Sequence, residues 1–291
     1  MAGILVHIHL FYPEIWDETA ACLSHISDPF DLVVTLTDEN PEIARKIRKF
    51  KPDARVSIVE NKGFDVGPFI KVLHENGLDG YEYVIHLHSK RNVKDILGNV
   101  VLNDETKWRR LLLDFCSSDE NWRATMRTFR NNPEAGMVSD RVCILDEKFD
   151  PTPEMAEAAK KYLVDRLKMP VKRAVFVCGT MFMVRAALLK PVVESVSFDD
   201  FPETERKEFL TLGHVFERVF GYAVCAQGYE IVDYKGRSCT MFPARLFPAP
   251  FFIRFGRSVR RFVFQRKTDK KGNVLIKILK IPVWRKKAVK R

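Results

Sequence analysis

Two histidines alternate with apolar residues at the end of a hydrophobic run, in the segment His86-Leu-His88, and Lys90 follows closely. If the run is a strand, His86 and His88 lie on the same face and can meet one ligand. Imidazoles beside an ammonium group suit contact with a phosphate or another substrate group, polar groups satisfied at a strand end, or metal ligation. A metal site requires a third ligand, which the neighbouring residues do not supply. The segment predicts a polar site and leaves these three alternatives open.

A second cluster of polar and small residues separates an apolar run from an amphipathic one. It contains Asn61, Gly63, Asp65 and Gly67, which we place between a strand and the start of a helix. Backbone N–H groups at a helix start favour anionic ligands, so a nucleotide phosphate fits here. A tight turn with Asp65 as the helix N-cap is the structural alternative. The spacing matches neither a Walker loop nor a dinucleotide fingerprint.

A third group of residues combines an interrupted strand with a polar helix face. Gly179 and Thr180 interrupt an apolar run, which indicates close approach of the backbone to a ligand or a neighbour. His214, Glu217 and Arg218 are spaced three and four residues apart and so share one stripe of a helix. The stripe is either a solvated face or the location of a general base.

Alternation of strands and helices must position these clusters. Short runs of β-forming apolar residues are separated by amphipathic runs, which is typical of an α/β fold with a mostly parallel sheet and flanking helices. We predict strands at 3–12, 30–37, 54–59, 81–87, 136–138 and 175–184, and helices at 15–26, 41–50, 66–76, 103–115, 120–131, 153–167, 187–195 and 204–220.

The net charge is concentrated at the end of the chain. Residues 251–291 hold 15 Lys and Arg against one acidic residue, Asp269, so a whole-chain charge of +10 leaves −4 on the first 250 residues. We therefore predict a folded, enzyme-sized domain over 1–247 and a basic, aromatic C-terminal tail over 248–291. The tail suits an anionic membrane surface; a solvated disordered tail and a nucleic-acid patch are the alternatives.

Cysteine usage and hydropathy exclude several protein classes. Six cysteines are far apart with no C-x-x-C pair, which argues against a disulfide scaffold or a zinc ribbon and fits a reducing cytosol. No apolar run approaches the roughly 20 residues needed to cross a bilayer. We expect a cytoplasmic protein, peripheral to the inner face of the cell membrane.

Six segments together resemble the rhamnan synthesis protein F family of bacterial polysaccharide glycosyltransferases. They occur in the family's order across roughly residues 4–230, and their combination is more specific than any one of them. The segments are 6–14 (VHIHLFYPE), 60–69 (ENKGFDVGPF), 83–90 (YVIHLHSK), 108–112 (WRRLL), 178–185 (CGTMFMVR) and 214–221 (HVFERVFG).

The resemblance implies a GT-A-like, Rossmann-like fold and transfer of a sugar from a nucleotide-sugar to a surface polysaccharide such as O-antigen, or to a lipid-linked glycan. By the family's name the donor is dTDP-L-rhamnose. His86-Leu-His88 stands where many such enzymes have Asp-x-Asp, so we expect no metal cofactor, although a divalent metal remains an alternative. The implied donor-binding residues are His7, Asn61, Gly63, Asp65, Gly67, His86, His88, Lys90, Gly179 and Thr180.

An inverting transfer requires one general base to deprotonate the acceptor hydroxyl. The candidates are Asp199, Asp200, Glu203, His214 and Glu217. The resemblance places 214–218 near the acidic catalytic helix, so His214 is the first choice, with Glu217 orienting it and Asp200 next. A non-catalytic nucleotide- or glycan-binding module on the same fold is the rival prediction. Nucleic-acid binding ranks third, because the first 250 residues are net negative.

Overall fold

The structure is a computed structural model, and it describes residues 3–89, 105–150, 152–203 and 211–238, with strands at 264–268, 274–278 and 281–286. The chain forms two compact units, one of residues 1–93 with 104–241 and the other of residues 94–103 with 242–291. The boundary after residue 247 stays a prediction.

Eight helices and twelve strands are described. The helices are α1 (Trp16–Leu23), α2 (Pro41–Phe50), α3 (Val66–Asn76), α4 (Glu105–Leu113), α5 (Asp119–Asn131), α6 (Pro153–Asp165), α7 (Lys190–Glu194) and α8 (Leu212–Ala226). The strands are β1 (Gly3–His9), β2 (Phe30–Leu36), β3 (Arg55–Ile58), β4 (Tyr81–His88), β5 (Ala135–Ser139), β6 (Ile144–Asp146), β7 (Val175–Val177), β8 (Phe182–Arg185), β9 (Glu230–Asp233), β10 (Phe264–Thr268), β11 (Val274–Ile278) and β12 (Ile281–Lys286).

The central sheet of the first unit has seven strands in the order β3-β2-β1-β4-β8-β5-β9. All neighbours pair in parallel except at β8, which is antiparallel to both β4 and β5. The predicted mostly parallel α/β fold is therefore confirmed. The chain builds outward from β1 to β3 and then returns to place β4 on the other side of β1. In such sheets the ligand crevice lies at this reversal, beyond the carboxyl ends of the strands.

Local sequence explains the two helices whose predicted bounds match the structure. In α2, the Asn40 side chain accepts a hydrogen bond from the Ile43 N–H, Pro41 starts the helix, and Ile43 and Ile47 are buried. In α3, nearly every residue from Val66 to Leu73 is buried, and Gly77 ends the helix at φ +66°.

The prediction of one interrupted strand over 175–184 is wrong. Val175–Val177 pairs with β6 in a separate two-stranded sheet, whereas Phe182–Arg185 lies in the central sheet between β4 and β5. Gly179 has φ +92° and Thr180 has φ +55°, and these two left-handed conformations redirect the chain between the sheets. The apolar run shows that both halves are buried but not that they belong to different sheets.

Other differences are at element ends and in short strands. The sequence did not predict β6 or β9, which are only three and four residues long. The last predicted helix begins within the described residues at Leu212, and residues 204–210 lie outside them. Among the described residues, no helix combines the length and apolar character needed to span a membrane.

The second unit contains a three-stranded antiparallel sheet that the sequence did not predict. Its strands are in the order β10-β11-β12, with Arg266 opposite Ile276 and Ile276 opposite Trp284. Part of the basic tail therefore has regular backbone structure.

Candidate functional site

A cleft of about 330 Å³ opens at the carboxyl ends of β1 and β4, where the strand order reverses. The last residues of these two strands, His9 and His88, are partners in the parallel register and both line the cleft. It is lined by His9, Phe11, Tyr12, Asn61, Phe64, Asp65, Val66, His88, Ser89, Thr180, Gly213, His214 and Glu217.

The first turns of α3 and α8 form the opposite wall, and small residues let them approach. A Cβ atom on Gly213 would lie 2.8 Å from the carbonyl oxygen of Gly63, and one on Gly67 would lie 2.1 Å from that of Lys62. Gly63 itself has φ +65° and packs against the Phe201 ring. The predicted turn is thus present, and its glycines bring two helix N-termini, with their positive dipole ends, to one cleft.

Asp65 occupies the N-cap position of α3 but does not cap the helix with its side chain. Its Oδ2 atom lies 3.3 Å from Nε2 of His86 and 3.9 Å from Nε2 of His88. Both histidines reach one carboxylate, as strand alternation predicts. The alternative of Asp65 as a simple N-cap does not describe its side chain.

Two of the predicted donor-binding histidines, His7 and His86, lie behind the cleft wall. Their rings are nearly parallel with centroids 5.1 Å apart, and the Phe69 ring stacks on His86 at 4.0 Å. Burial lowers the pKa of both imidazoles, and for His7 the neighbouring His86 lowers it further. Both side chains are therefore neutral supports of the cleft residues rather than cationic contacts.

His88 connects the cleft to the turn between the two sheets. Its Nε2 atom lies 2.7 Å from the carbonyl oxygen of Gly179, and Thr180 lines the cleft beside it. Gly179 is held from the other side, because its N–H donates to Oε1 of Glu217 at 2.6 Å. The structure brings the first and third sequence clusters together through this turn.

His214, the first-choice base, lies at the start of α8 and lines the cleft. Its Nδ1 atom is 2.9 Å from Oγ1 of Thr211, and the Phe64 ring meets its imidazole edge-on at 4.7 Å. Glu217 does not orient it as predicted, because the two oxygens of Glu217 bind the Gly179 N–H and the Arg218 guanidinium.

The predicted alternative of a solvated face on α8 is wrong for Arg218. Its guanidinium is buried and makes two hydrogen bonds, of 2.9 and 3.0 Å, to the carboxylate of Asp150, which is fully buried. Asp150 and Glu217 raise the pKa of Arg218 although burial opposes them. This arrangement fixes Glu217 and, through it, Gly179.

Asp200, the second choice for the general base, does not line the cleft. Asp200 is exposed in a short 3-10 helix, where its carboxylate accepts hydrogen bonds from the N–H and hydroxyl of Ser197. It caps its own turn instead of lining the cleft. Lys90, the predicted cation, lies outside the described residues.

Asn61 lines the cleft, as predicted, whereas His9, Thr35 and Asp150 were not predicted as site residues. A usable signal for His9 was present, because His7-Ile-His9 has the same alternation as His86-Leu-His88 and pairs with it residue for residue. No local pattern indicates Asp150, which is 68 residues from Arg218.

The described residues include no group of three or more His, Cys, Asp or Glu side chains arranged to hold a metal ion. His9, His88 and Asp65 line the cleft, and Oδ2 of Asp65 lies 3.3 Å from Nε2 of the buried His86 and 3.9 Å from Nε2 of His88. The expectation of no metal cofactor stays a prediction.

An α/β protein with a polar cleft at the sheet reversal is the class that this fold and site define. Its sequence matches the rhamnan synthesis protein F family over residues 1–229, a range that includes every residue lining the cleft. The chain belongs to that family, which agrees with the resemblance of its six segments.

Two curated relatives are the uncharacterized protein WxcX from two strains of Xanthomonas campestris pv. campestris. Each is 25% identical over 234 residues, which cover 78% of this chain and 32% of the relative. The chain thus spans about a third of the length of the curated relatives it matches.

Two solved structures were also compared with this fold. S. aureus TarS 1–349 has a TM-score of 0.42 and 12% identity, covering 76% of this chain and 55% of TarS. A 4-diphosphocytidyl-2C-methyl-D-erythritol synthase has a TM-score of 0.33 and 14% identity, covering 87% of this chain and 99% of the synthase.

Proposed function

We propose that this protein is a glycosyltransferase that moves a sugar from a nucleotide-sugar to a growing bacterial polysaccharide or lipid-linked glycan. Membership of the rhamnan synthesis protein F family supports a glycosyltransferase-type enzyme of polysaccharide biosynthesis. The observation that carries the proposal is the cleft at the carboxyl ends of β1 and β4, at the reversal of the strand order.

The charges around the cleft suggest how a donor would lie in it. The N-terminal ends of α3 and α8 favour the diphosphate, because helix dipoles and backbone N–H groups stabilise anions. The Asp65 carboxylate repels a diphosphate and instead accepts hydrogen bonds from hydroxyl groups of the sugar or ribose. In this arrangement Asn61 and Gly213 are near the diphosphate.

His214 is the general base of the proposed reaction. A donor such as dTDP-β-L-rhamnose that yields an α-linkage reacts with inversion, and a single base then removes the proton from the attacking hydroxyl. The imidazole of His214 lines the cleft, and its Nδ1 atom lies 2.9 Å from Oγ1 of Thr211, which positions the ring at the start of α8. The rhamnosyl donor follows from the family's name, and inversion follows from that donor.

Departure of the nucleoside diphosphate requires its negative charge to be stabilised. We place this role on the helix N-termini and on Lys90, with no metal cofactor. If EDTA abolishes turnover and Mg²⁺ or Mn²⁺ restores it, metal independence is wrong while the donor site stands.

A thermal-shift panel tests the proposed donor class. The full chain is heated with dTDP, UDP, GDP, CMP and their sugars, with and without Mg²⁺; ligand at 100 times its Kd stabilises a protein by about 2.7 kcal/mol. We expect selective stabilisation by dTDP or dTDP-rhamnose, and loss of the sugar-dependent part in Asp65→Asn. If no nucleotide raises the melting temperature, even well above millimolar concentration, the result contradicts the proposed transferase activity and favours the non-catalytic module.

A further inference from the structure

A chain of side-chain hydrogen bonds runs behind the cleft wall and joins two of its lining residues, Asp65 and His9. Oδ2 of Asp65 lies 3.3 Å from Nε2 of His86, and Nδ1 of His86 lies 3.1 Å from Nδ1 of His7. Oγ1 of Thr35 is 3.0 Å from Nε2 of His7 and 3.0 Å from Nδ1 of His9. Every link is within hydrogen-bond reach, so the proton positions along the chain depend on one another.

The Asp65 end determines which atom donates in each hydrogen bond of this series. A carboxylate accepts hydrogen bonds and does not donate them, so Nε2 of His86 carries the proton that faces Asp65. Burial lowers the pKa of His86, and the neutral imidazole has only one N–H. Nδ1 of His86 is therefore an acceptor, and Nδ1 of His7 must be the donor to it.

The same reasoning passes through His7 to Thr35. His7 is neutral because it is buried, so its Nε2 atom is an acceptor and receives the Thr35 hydroxyl proton. The competing acceptor of that hydroxyl, the carbonyl oxygen of Ile8, is farther away at 3.5 Å. The oxygen of Thr35 then accepts a hydrogen bond from Nδ1 of His9.

His9 ends the chain with an unpaired lone pair on Nε2. Burial lowers its pKa to about 3, although the Asp65 charge acts in the opposite direction, so only Nδ1 carries a proton. Nε2 has no hydrogen-bond partner within the described part of the chain, and the residue is 3% exposed in the cleft wall. Buried polar atoms without a partner are rare in native proteins and need a reason.

We propose that Nε2 of His9 is a fixed hydrogen-bond acceptor for the ligand of this cleft, with its tautomer determined by Asp65 through His86, His7 and Thr35. It selects a ligand that presents a hydroxyl or an imide N–H, and phosphate oxygens cannot satisfy it. On the proposed function, which this inference deepens, the donor group is either a sugar hydroxyl or the N–H of a pyrimidine base.

Tautomers measured on the ligand-free full chain test the first half of this proposal. In ¹⁵N-histidine-labelled protein, two-bond ¹H–¹⁵N spectra distinguish Nδ1–H from Nε2–H imidazoles, and single His→Gln variants assign the signals. We expect Nδ1–H for His7 and His9 and Nε2–H for His86. An Nε2–H tautomer of His9 overturns the proposal whether or not any nucleotide binds.

Thr35 provides a matched pair of variants, because it belongs to the chain of hydrogen bonds and does not line the cleft. Thr35→Val removes the hydroxyl with little change of shape, whereas Thr35→Ser keeps it. We expect that in Thr35→Val the tautomer of His9 is no longer fixed and that ligand binding weakens by about three- to tenfold. Thr35→Ser should keep the wild-type tautomer and affinity. If folded Thr35→Val keeps the wild-type His9 tautomer, the chain of hydrogen bonds does not control that tautomer.

Titration with dTDP and with dTDP-rhamnose tests the second half. A change in the His9 Nε2 signal with both ligands identifies a donor of the nucleotide, either the base N–H or the deoxyribose hydroxyl, as the partner. A change with dTDP-rhamnose alone identifies a hydroxyl of the rhamnosyl group. A ligand that shifts His214 but leaves His9 unchanged overturns the acceptor role. If no nucleotide shifts any cleft signal, the proposed function fails, and the tautomers of the ligand-free protein still decide the hydrogen-bond chain.

Discussion

The Oδ2 atom of Asp65 lies 3.3 Å from Nε2 of His86, although Asp65 precedes the first turn of α3 and is of a residue type that usually caps helices. The side chain thus turns away from its own helix toward β4. A residue that gives up a favourable local hydrogen bond in this way is more important to the site than to the stability of the helix.

Replacement of Asp65 by Asn is therefore expected to affect ligand binding more than folding. The amide oxygen still accepts from His86, so we expect the free energy of unfolding to fall by less than about 1 kcal/mol. Loss of the charge should weaken sugar-nucleotide binding by about ten- to a hundredfold, measured by calorimetry. Asn40→Ala, which removes a true N-cap from α2, is the matched control and should cost about 1 kcal/mol with unchanged affinity. Equal affinity in both variants would remove Asp65 from the donor site.

His214→Ala tests the general base. We expect kcat to fall by about 10² to 10⁴-fold while nucleotide binding is retained, because the base acts on the acceptor hydroxyl and not on the nucleotide. His25→Ala is the control, because His25 does not line the cleft and its imidazole pairs with Asp119. Near-normal kcat in His214→Ala would exclude this residue from the mechanism.

The buried histidines predict a loss of stability in acid. Burial depresses the pKa of His7, His9 and His86 below 6.5, and that of His9 falls to about 3. Above pH 6.5 both the folded and the unfolded states hold these groups neutral; as the pH falls, only the unfolded state binds the protons. The free energy of unfolding should therefore fall between pH 6.5 and 3, by up to about 1.4 kcal/mol per pH unit for each histidine.

Urea unfolding at a series of pH values measures this slope. His9→Gln should reduce it by about 1.4 kcal/mol per pH unit, because Gln does not titrate. An unchanged slope in His9→Gln would mean that His9 binds its proton in the folded state.

Gly67→Ala tests the close approach that shapes the cleft wall. A Cβ atom there would lie 2.1 Å from the carbonyl oxygen of Lys62, so the backbone must shift despite the better helix propensity of Ala. We expect a loss of about 1–3 kcal/mol in the free energy of unfolding together with weaker ligand binding. Gly80→Ala is the control, because nothing lies within 4 Å of its Cβ and its φ is not positive. Similar stabilities of the two variants would contradict the steric argument.

The basic tail is proposed to dock on an anionic membrane. It carries 15 basic residues and one acidic residue, and each basic group near such a surface contributes about 1 kcal/mol. Truncation after Pro250 should abolish sedimentation with anionic liposomes, and high salt should weaken binding of the full chain. Neutral liposomes serve as the control. Unchanged binding of the truncated protein to anionic liposomes would defeat this proposal.

Local sequence patterns predicted the helices and most strands. How those elements are arranged depends on contacts between distant segments. The bounds of α2 follow from Asn40, Pro41 and the spacing of Ile43 and Ile47, all within ten residues. The division of 175–184 depends on the conformation of Gly179 and Thr180, which sequence spacing does not give.

The site residues were likewise predicted from local motifs, whereas their partners were not. His88 and His214 were predicted from local motifs and both line the cleft. The partners that control charged and polar groups come from elsewhere in the chain: Asp150 holds Arg218, and Thr35 joins His7 to His9. Such contacts depend on topology and not on residue spacing, and so they could not be predicted locally.

The helix that presents His214 to the cleft is also among the most deeply packed parts of the fold. Twelve of the fifteen residues of α8 are buried, and the helix packs against β7 and β9. Fluctuations that expose the amides of such a helix approach global unfolding in free energy. Amide hydrogen exchange along its central and last turns should therefore be among the slowest in the first unit. Slow opening of this helix would keep His214 in place between rounds of ligand binding and release.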